Sequence, residues 1–140
     1  MTIDEMLENA RNSYRRTTVF ELEAAVARGA MIVDIRPQAQ RDREGTLPGA
    51  LAIERNVLEW RLDPASGARI ALAVDHDVEW IVVCSEGYTS SLAAAALQEL
   101  GLRRATDLVG GYRAIRAAGL LGVATRSRHL VRDTEAAAAH

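Results

Sequence analysis

The stretch Cys84-Ser85-Glu86-Gly87-Tyr88-Thr89-Ser90 holds the only cysteine of a 140-residue chain and directly follows the apolar run Trp80-Ile81-Val82-Val83. A thiolate is a strong nucleophile, while a buried thiol is an inert small hydrophobe, so the surroundings decide its chemistry. Here the cysteine ends a β-rich run and is followed by a polar, glycine-containing loop and then a helical pattern. In an open parallel sheet, ligands bind outside the carboxyl ends of the strands. The N–H groups of residues 85–91 can curl around the sulfur, and such a nest at a helix N-terminus favours an anion, here a thiolate. Gly87 allows a turn that a side chain would obstruct, and Thr89 and Ser90 can offer hydroxyls to the cavity or cap the helix. Position therefore favours a reactive cysteine over a structural one.

Other chemistries are narrowed by composition. One cysteine makes no internal disulfide, no CxxC pair and no multi-thiolate metal site. His76, His129 and His140 lie far apart without ligand spacing, so no metal or other cofactor is expected. All 17 basic residues are arginine, which removes both Schiff-base catalysis and a P-loop lysine. The formal net charge is −2 with scattered arginines, so no basic stripe for nucleic acid is expected. No apolar run has the length of a membrane span, and the acidic start Asp4-Glu5 is unlike a signal peptide, so a cytoplasmic location without membrane contact is expected. The weight of Ala and Arg is associated with GC-rich bacterial genomes. With 49% hydrophobic and 26% charged residues, a sizeable core is available for one domain.

The elements that must position the cysteine follow from periodicity. Residues 2–16 read as a helix, with Thr2 and Glu5 as a capping box and Ile3, Leu7, Ala10 and Tyr14 on one face. A second helix starts at Thr18 with Glu21 and ends before Gly29. Residues 30–35 form a short buried strand closed by Pro37, residues 38–45 a polar loop, and residues 50–53 another strand. One or two helical turns cover 57–62. Residues 79–84 make the central strand, 91–100 a helix with Ala93, Ala96, Leu97 and Leu100 on one face, 105–109 a strand, and 112–118 a helix stopped at Gly119. Beyond about Val123 a frayed tail is expected. Strands alternating with helices at this spacing predict an α/β domain with a mostly parallel sheet covered on both faces.

Four segments, in order, resemble the rhodanese-like sulfurtransferase family. They are Val33-Asp34-Ile35-Arg36; Gly45-Thr46-Leu47-Pro48-Gly49-Ala50; Val83-Cys84 with Gly87 and a hydroxyl residue at the loop end; and Leu108-Val109-Gly110-Gly111. The chain is similar to a single-domain rhodanese over roughly residues 17–120. The resemblance implies a three-layer α/β/α fold with a sheet of about five strands. It divides the chain into an N-terminal helical extension (1–16), the domain (17–122) and a flexible tail (123–140). It also implies that Cys84 takes a sulfane sulfur from thiosulfate or another small donor, carries it as a persulfide, and yields it to a thiol, cyanide or protein acceptor, in a monomer or weak homodimer. Such chemistry needs a stabilised thiolate and an amide cradle but no general base.

Ser85, Glu86, Gly87, Tyr88, Thr89 and Ser90 form the expected donor-binding loop, with Asp34, Arg36 and Arg41 in support. Thiosulfate-using members commonly carry a basic residue in the loop, and mercaptopyruvate-using members small neutral ones. Here Glu86 is the only loop charge, and a carboxylate near the sulfur repels a dianionic donor. Thiosulfate is thus disfavoured unless Arg36 or Arg41 reaches the pocket; for Arg36 an ion pair with Glu44 is favoured instead. Asp34 is expected to orient loops, and Thr46, where the family usually has histidine, to alter turn hydrogen bonding. Tyr88 is a better pocket-lining candidate than Trp60. Packing of the N-terminal helix on its own domain is favoured over docking of a partner. Two rivals remain: a non-catalytic binding or sulfur-sensing module of the same fold, and a cysteine phosphatase. The second lacks an arginine at the loop's end, with Ser90 there, and lacks a histidine before the cysteine, with Val83 there.

Overall fold

The computed structural model describes residues 1–130. Its helices are α1 (Ile3–Asn12), α2 (Val19–Ala27), α3 (Gln38–Glu44), α4 (Leu58–Leu62), α5 (Thr89–Glu99) and α6 (Gly111–Ala117). Its strands are β1 (Met31–Asp34), β2 (Leu51–Ala52), β3 (Trp80–Val83) and β4 (Thr106–Asp107). The strands form one parallel sheet in the order β2-β1-β3-β4. A single parallel bridge, Thr17 to Leu108, adds a rudimentary fifth position beyond β4. Among the described residues no helix is long and apolar enough to cross a membrane.

Every residue of β1 and β3 is buried, and their period of two feeds two separate cores. Met31, Val33, Trp80, Val82 and Cys84 pack with Leu58, Leu62, Ala93 and Leu97 from α4 and α5. Ile32, Ile81 and Val83 pack on the other face with Leu22 and Val26 of α2 and Tyr112 and Ile115 of α6. The helices therefore lie on both faces, as the alternation of elements predicts. In this strand order the chain leaves β1 to one side and β3 to the other, so a crevice opens between the carboxyl ends of β1 and β3.

Several expectations change. The 38–45 loop is helix α3 over Gln38–Glu44; it buries no residue, so hydrophobic periodicity could not reveal it. The first helix ends at Asn12 rather than 16 and packs on α5, with Ala10 buried but Ile3 64% exposed. Its cap is half of the expected box, the Glu5 N–H donating to Thr2 Oγ1, whereas Thr18 and Glu21 complete theirs. The segment after Val123 is no frayed tail at its start. A 3-10 turn, Val123–Arg126, packs against α2, and Val123, Ala124 and Ser127 are buried. The turn at Gly49 (φ +82°) sits so close to Ala124 that a Cβ there would lie 2.6 Å from its carbonyl carbon. The expected fraying at 131–140, Ala136 to Ala139 included, lies outside the described residues.

At the end of β1, Asp34 accepts hydrogen bonds from Arg36 at its backbone N–H, Nε (3.0 Å) and Nη2 (2.7 Å). Arg36 is wholly buried, also donating to Glu44 and to the Gly45 carbonyl, and it lies 3.9 Å from the centroid of the Tyr112 ring. Removing one partner of such a pair strands a desolvated charge. Arg36→Met should therefore lower unfolding free energy by about 3–5 kcal/mol in urea titration; a loss below about 1 kcal/mol would show that Asp34 finds other compensation.

Candidate active site

The sulfur of Cys84 occupies the mouth of the β1/β3 crevice. Val83 ends the strand, and the chain then turns through Ser85-Glu86-Gly87-Tyr88 into α5. Gly87 makes this possible with φ +89°, and a Cβ there would lie 2.9 Å from the Gly110 nitrogen. The loop closes on the sulfur as the sequence predicts. The N–H of Gly87 donates to Sγ at 3.2 Å and that of Ser90 at 3.4 Å. The thiol in turn donates to Ser90 Oγ at 3.3 Å. Cys84 is 7% exposed, so these donors act in a largely desolvated setting where they are worth more than in water.

In front of the sulfur lies a cleft of about 780 Å³. Its walls come from the end of β1 (Ile35, Arg36), from α3 (Gln40, Arg43, Glu44), from the 3-10 turn Arg55–Val57 and Glu54 before it, from the loop (Ser85, Glu86, Tyr88, Thr89) and from Arg113 of α6. Ser85 lines the cleft and donates to Glu44 at 2.9 Å. Burial opposes ionisation of Glu44, but hydrogen bonds from Gln40, Ser85 and Arg36 outweigh it and hold the carboxyl below its ordinary range. Tyr88 is 58% exposed at the mouth, whereas Trp60, also exposed, lies outside the lining.

Of the supporting residues, Asp34 and Arg36 are brought together as a buried pair, and Arg36 contributes a wall of the cleft while its donors serve Asp34 and Glu44. Arg41 is not in the cleft. It donates to Gln38 Oε1 on the surface of α3, because its position on that helix turns it away. Glu86 is not an uncompensated loop charge either: Arg113 pairs with it at 2.6 Å, both side chains about half exposed. Sequence reasoning missed Arg113, since α6 is remote in the chain, and also Arg43, which lines the cleft with no ion-pair partner among the described residues.

Behind the loop, away from the cleft, lies Asp107 at the end of β4. It is 0% exposed and takes hydrogen bonds from Ser90 Oγ (2.8 Å), Ser91 Oγ (2.8 Å), Tyr14 (2.6 Å) and both Nε and Nη2 of Arg16 (2.9 and 3.0 Å). Burial opposes ionisation of Asp107, but these donors, Arg16 first, keep its carboxyl below the ordinary range. Burial, then the bond to Asp107, raises the Tyr14 phenol far above its ordinary range. A charge inside the short run Thr106-Asp107-Leu108-Val109 was the one available signal, because buried charges require partners.

Residues 18–118 match the family described as the rhodanese-like domain. No curated protein matches the chain. Among solved structures, a Rhodopseudomonas palustris protein of unknown function, described as a "possible tyrosine phosphatase", is 32% identical with a TM-score of 0.76, covering 85% of this chain and 92% of its own. The human single-domain sulfurtransferase TSTD1 is 27% identical with a TM-score of 0.63, covering 73% and 95%. A rhodanese homologue from Thermus thermophilus is 27% identical with a TM-score of 0.52, covering 71% and 99%. With the family matched across most of its length, and a cysteine cradled by amides at the sheet's carboxyl edge, the chain belongs to the rhodanese-like domain family.

Proposed function

We propose that the protein is a sulfurtransferase that carries a sulfane sulfur on Cys84. The observation that supports this reading is the pair of amides, Gly87 and Ser90, aimed at a sulfur that faces a cleft. The Cys84 thiolate attacks the outer sulfur of a donor. A new S–S bond forms at Cys84, the bond between that sulfur and the rest of the donor breaks, and the remainder leaves with the bonding pair, as sulfite does from thiosulfate. An acceptor thiolate, a cyanide ion or a cysteine of another protein then attacks the outer sulfur, and Cys84 leaves again as a thiolate. The amides serve as preorganised donors to the sulfur anion at the start and the end of this cycle.

The cleft wall carries both signs of charge: Arg36, Arg43, Arg55 and Arg113 against Glu44, Glu54 and Glu86. An anionic donor therefore meets Arg113 and Arg43 as well as Glu86, which relieves the repulsion expected from the loop alone.

A non-catalytic binding or sensing module is the second reading, favoured by the low exposure of Cys84 and by Glu86 at the mouth. Phosphatase chemistry, which the description of the R. palustris neighbour raises, has less support. No arginine occurs between Cys84 and Ser90, and the Ser90 hydroxyl is engaged by Asp107. A phosphate dianion needs a guanidinium fork at that place.

Incubation with thiosulfate, mercaptopyruvate or a low-molecular-weight persulfide, followed by intact-mass measurement, should show one added sulfur on the wild type and none on Cys84→Ser. Absence of the adduct with every donor leaves the binding module, and hydrolysis of p-nitrophenyl phosphate by the wild type but not Cys84→Ser would replace sulfur transfer with phosphatase chemistry. If the Glu86–Arg113 pair tunes the mouth, Arg113→Ala should raise the KM for thiosulfate by up to about fivefold and Glu86→Gln should lower it, both effects shrinking in high salt. Equal KM values in all three proteins at low salt would remove these charges from donor binding.

A further inference from the structure

Residues 11–16 precede the matched domain, yet they build the rear wall of the cysteine loop. Arg11 Nη2 donates to the Gly87 carbonyl at 2.7 Å, Arg11 Nε to Ser91 Oγ at 3.0 Å, and its guanidinium carbon lies 5.5 Å from the centroid of the Tyr88 ring. Arg16 Nη2 donates to the same Gly87 carbonyl at 3.0 Å while Arg16 holds Asp107. Thus one residue, Gly87, has its carbonyl gripped by two arginines from the N-terminal segment, while its N–H is directed at the Cys84 sulfur. Asp107, held by Arg16 and Tyr14, draws the Ser90 hydroxyl, whose oxygen faces the thiol.

Resting on the reading of Cys84 as the working nucleophile, we propose that Arg11 and Arg16 are positioning residues that promote the Cys84 thiolate, by aiming the Gly87 amide at the sulfur and by neutralising Asp107 behind Ser90. When the thiol loses its proton, the Ser90 hydroxyl can turn from Asp107 to donate to the sulfur anion. That turn is easier when Arg16, Tyr14 and Ser91 continue to satisfy the carboxylate. Without Arg16 the sulfur meets an uncompensated buried carboxylate and a looser amide, and both disfavour the anion. The charged and titratable groups facing these atoms are Tyr14 and Arg16 on Asp107's side, with Arg11 one bond further through Ser91. Arg36, Arg43, Arg55 and Arg113, with Glu44, Glu54 and Glu86, stand on the cleft side. The N-terminal segment would then be part of the active site rather than an appendage to the domain.

The test is the pH profile of Cys84 alkylation by iodoacetamide, read by intact mass, which requires no sulfur donor and so stands apart from the assay of function. Arg16→Met should shift the profile to higher pH, with roughly tenfold slower alkylation at neutral pH, and Arg11→Met should shift it less in the same direction. Arg16→Lys, which keeps the charge without the fork, should restore part of the rate. Asp107→Asn placed in the Arg16→Met background should move the profile back toward wild type, because the stranded charge is gone. Profiles of Arg11→Met and Arg16→Met that both superimpose on wild type overturn the proposal, as does an Arg16→Met shift that Asp107→Asn fails to reverse. Should Arg16→Met not fold, as judged by near-UV circular dichroism, the Arg11→Met profile decides, and one that superimposes on wild type overturns the proposal. If thiolate formation follows the arginines and no donor yields a persulfide, the positioning role stands and sulfur transfer falls.

Discussion

A sheet buried on both faces confines polar chemistry to its ends, and here the carboxyl ends of β1, β3 and β4 carry Asp34, Cys84 and Asp107, all three in a buried layer. Each ionisable group in such a layer must be matched by donors, because an unmatched buried charge costs several kcal/mol on the order of magnitude seen for broken buried pairs. The rest of the molecule follows from how the three are matched. Asp34 receives Arg36, Asp107 receives Arg16 and Tyr14, and Cys84 receives two backbone amides. The difference in partners separates them: guanidinium forks hold the two carboxylates in place, whereas backbone N–H groups are aimed at the sulfur.

This arrangement also explains why the two faces of the cysteine loop differ. The cleft side presents Arg113, Arg43 and Glu86 at exposed positions, where charges face solvent and are screened by salt. The rear side presents Arg11, Arg16 and Asp107 in a partly or wholly buried network, where the same kinds of charge hold backbone atoms in place. One loop of seven residues is thus read by solvent-side electrostatics in front and by a fixed scaffold behind.

Much of the fold was legible because its signals are local. The apolar runs at 31–34 and 80–83, the capping box at Thr18 and Glu21, and the glycine-stopped helices each carry their own instructions. Helix α3 was not legible, since Gln38–Glu44 has no apolar stripe and is held by Pro37 before it and by Arg36, Gln40 and Ser85 contacts with Glu44. The end of α1 was misplaced for a related reason. Tyr14 follows Ile3, Leu7 and Ala10 at helical spacing, but Asp107 and the Thr17–Leu108 bridge, some 90 residues away, draw the chain out of the helix.

By itself the sequence determined that a lone cysteine ends a buried strand, that glycine and hydroxyl residues follow it, and that strands and helices alternate to present it at a sheet edge. Those properties live within a few residues of one another, where periodicity, φ preference and capping act. Only the tertiary structure decided which charges surround the sulfur. Arg113 arrives from the last helix to answer Glu86, and Arg11 and Arg16 arrive from the first segment to hold Gly87 and Asp107. Electrostatic partners are chosen by distance in space, and no spacing along the chain encodes that.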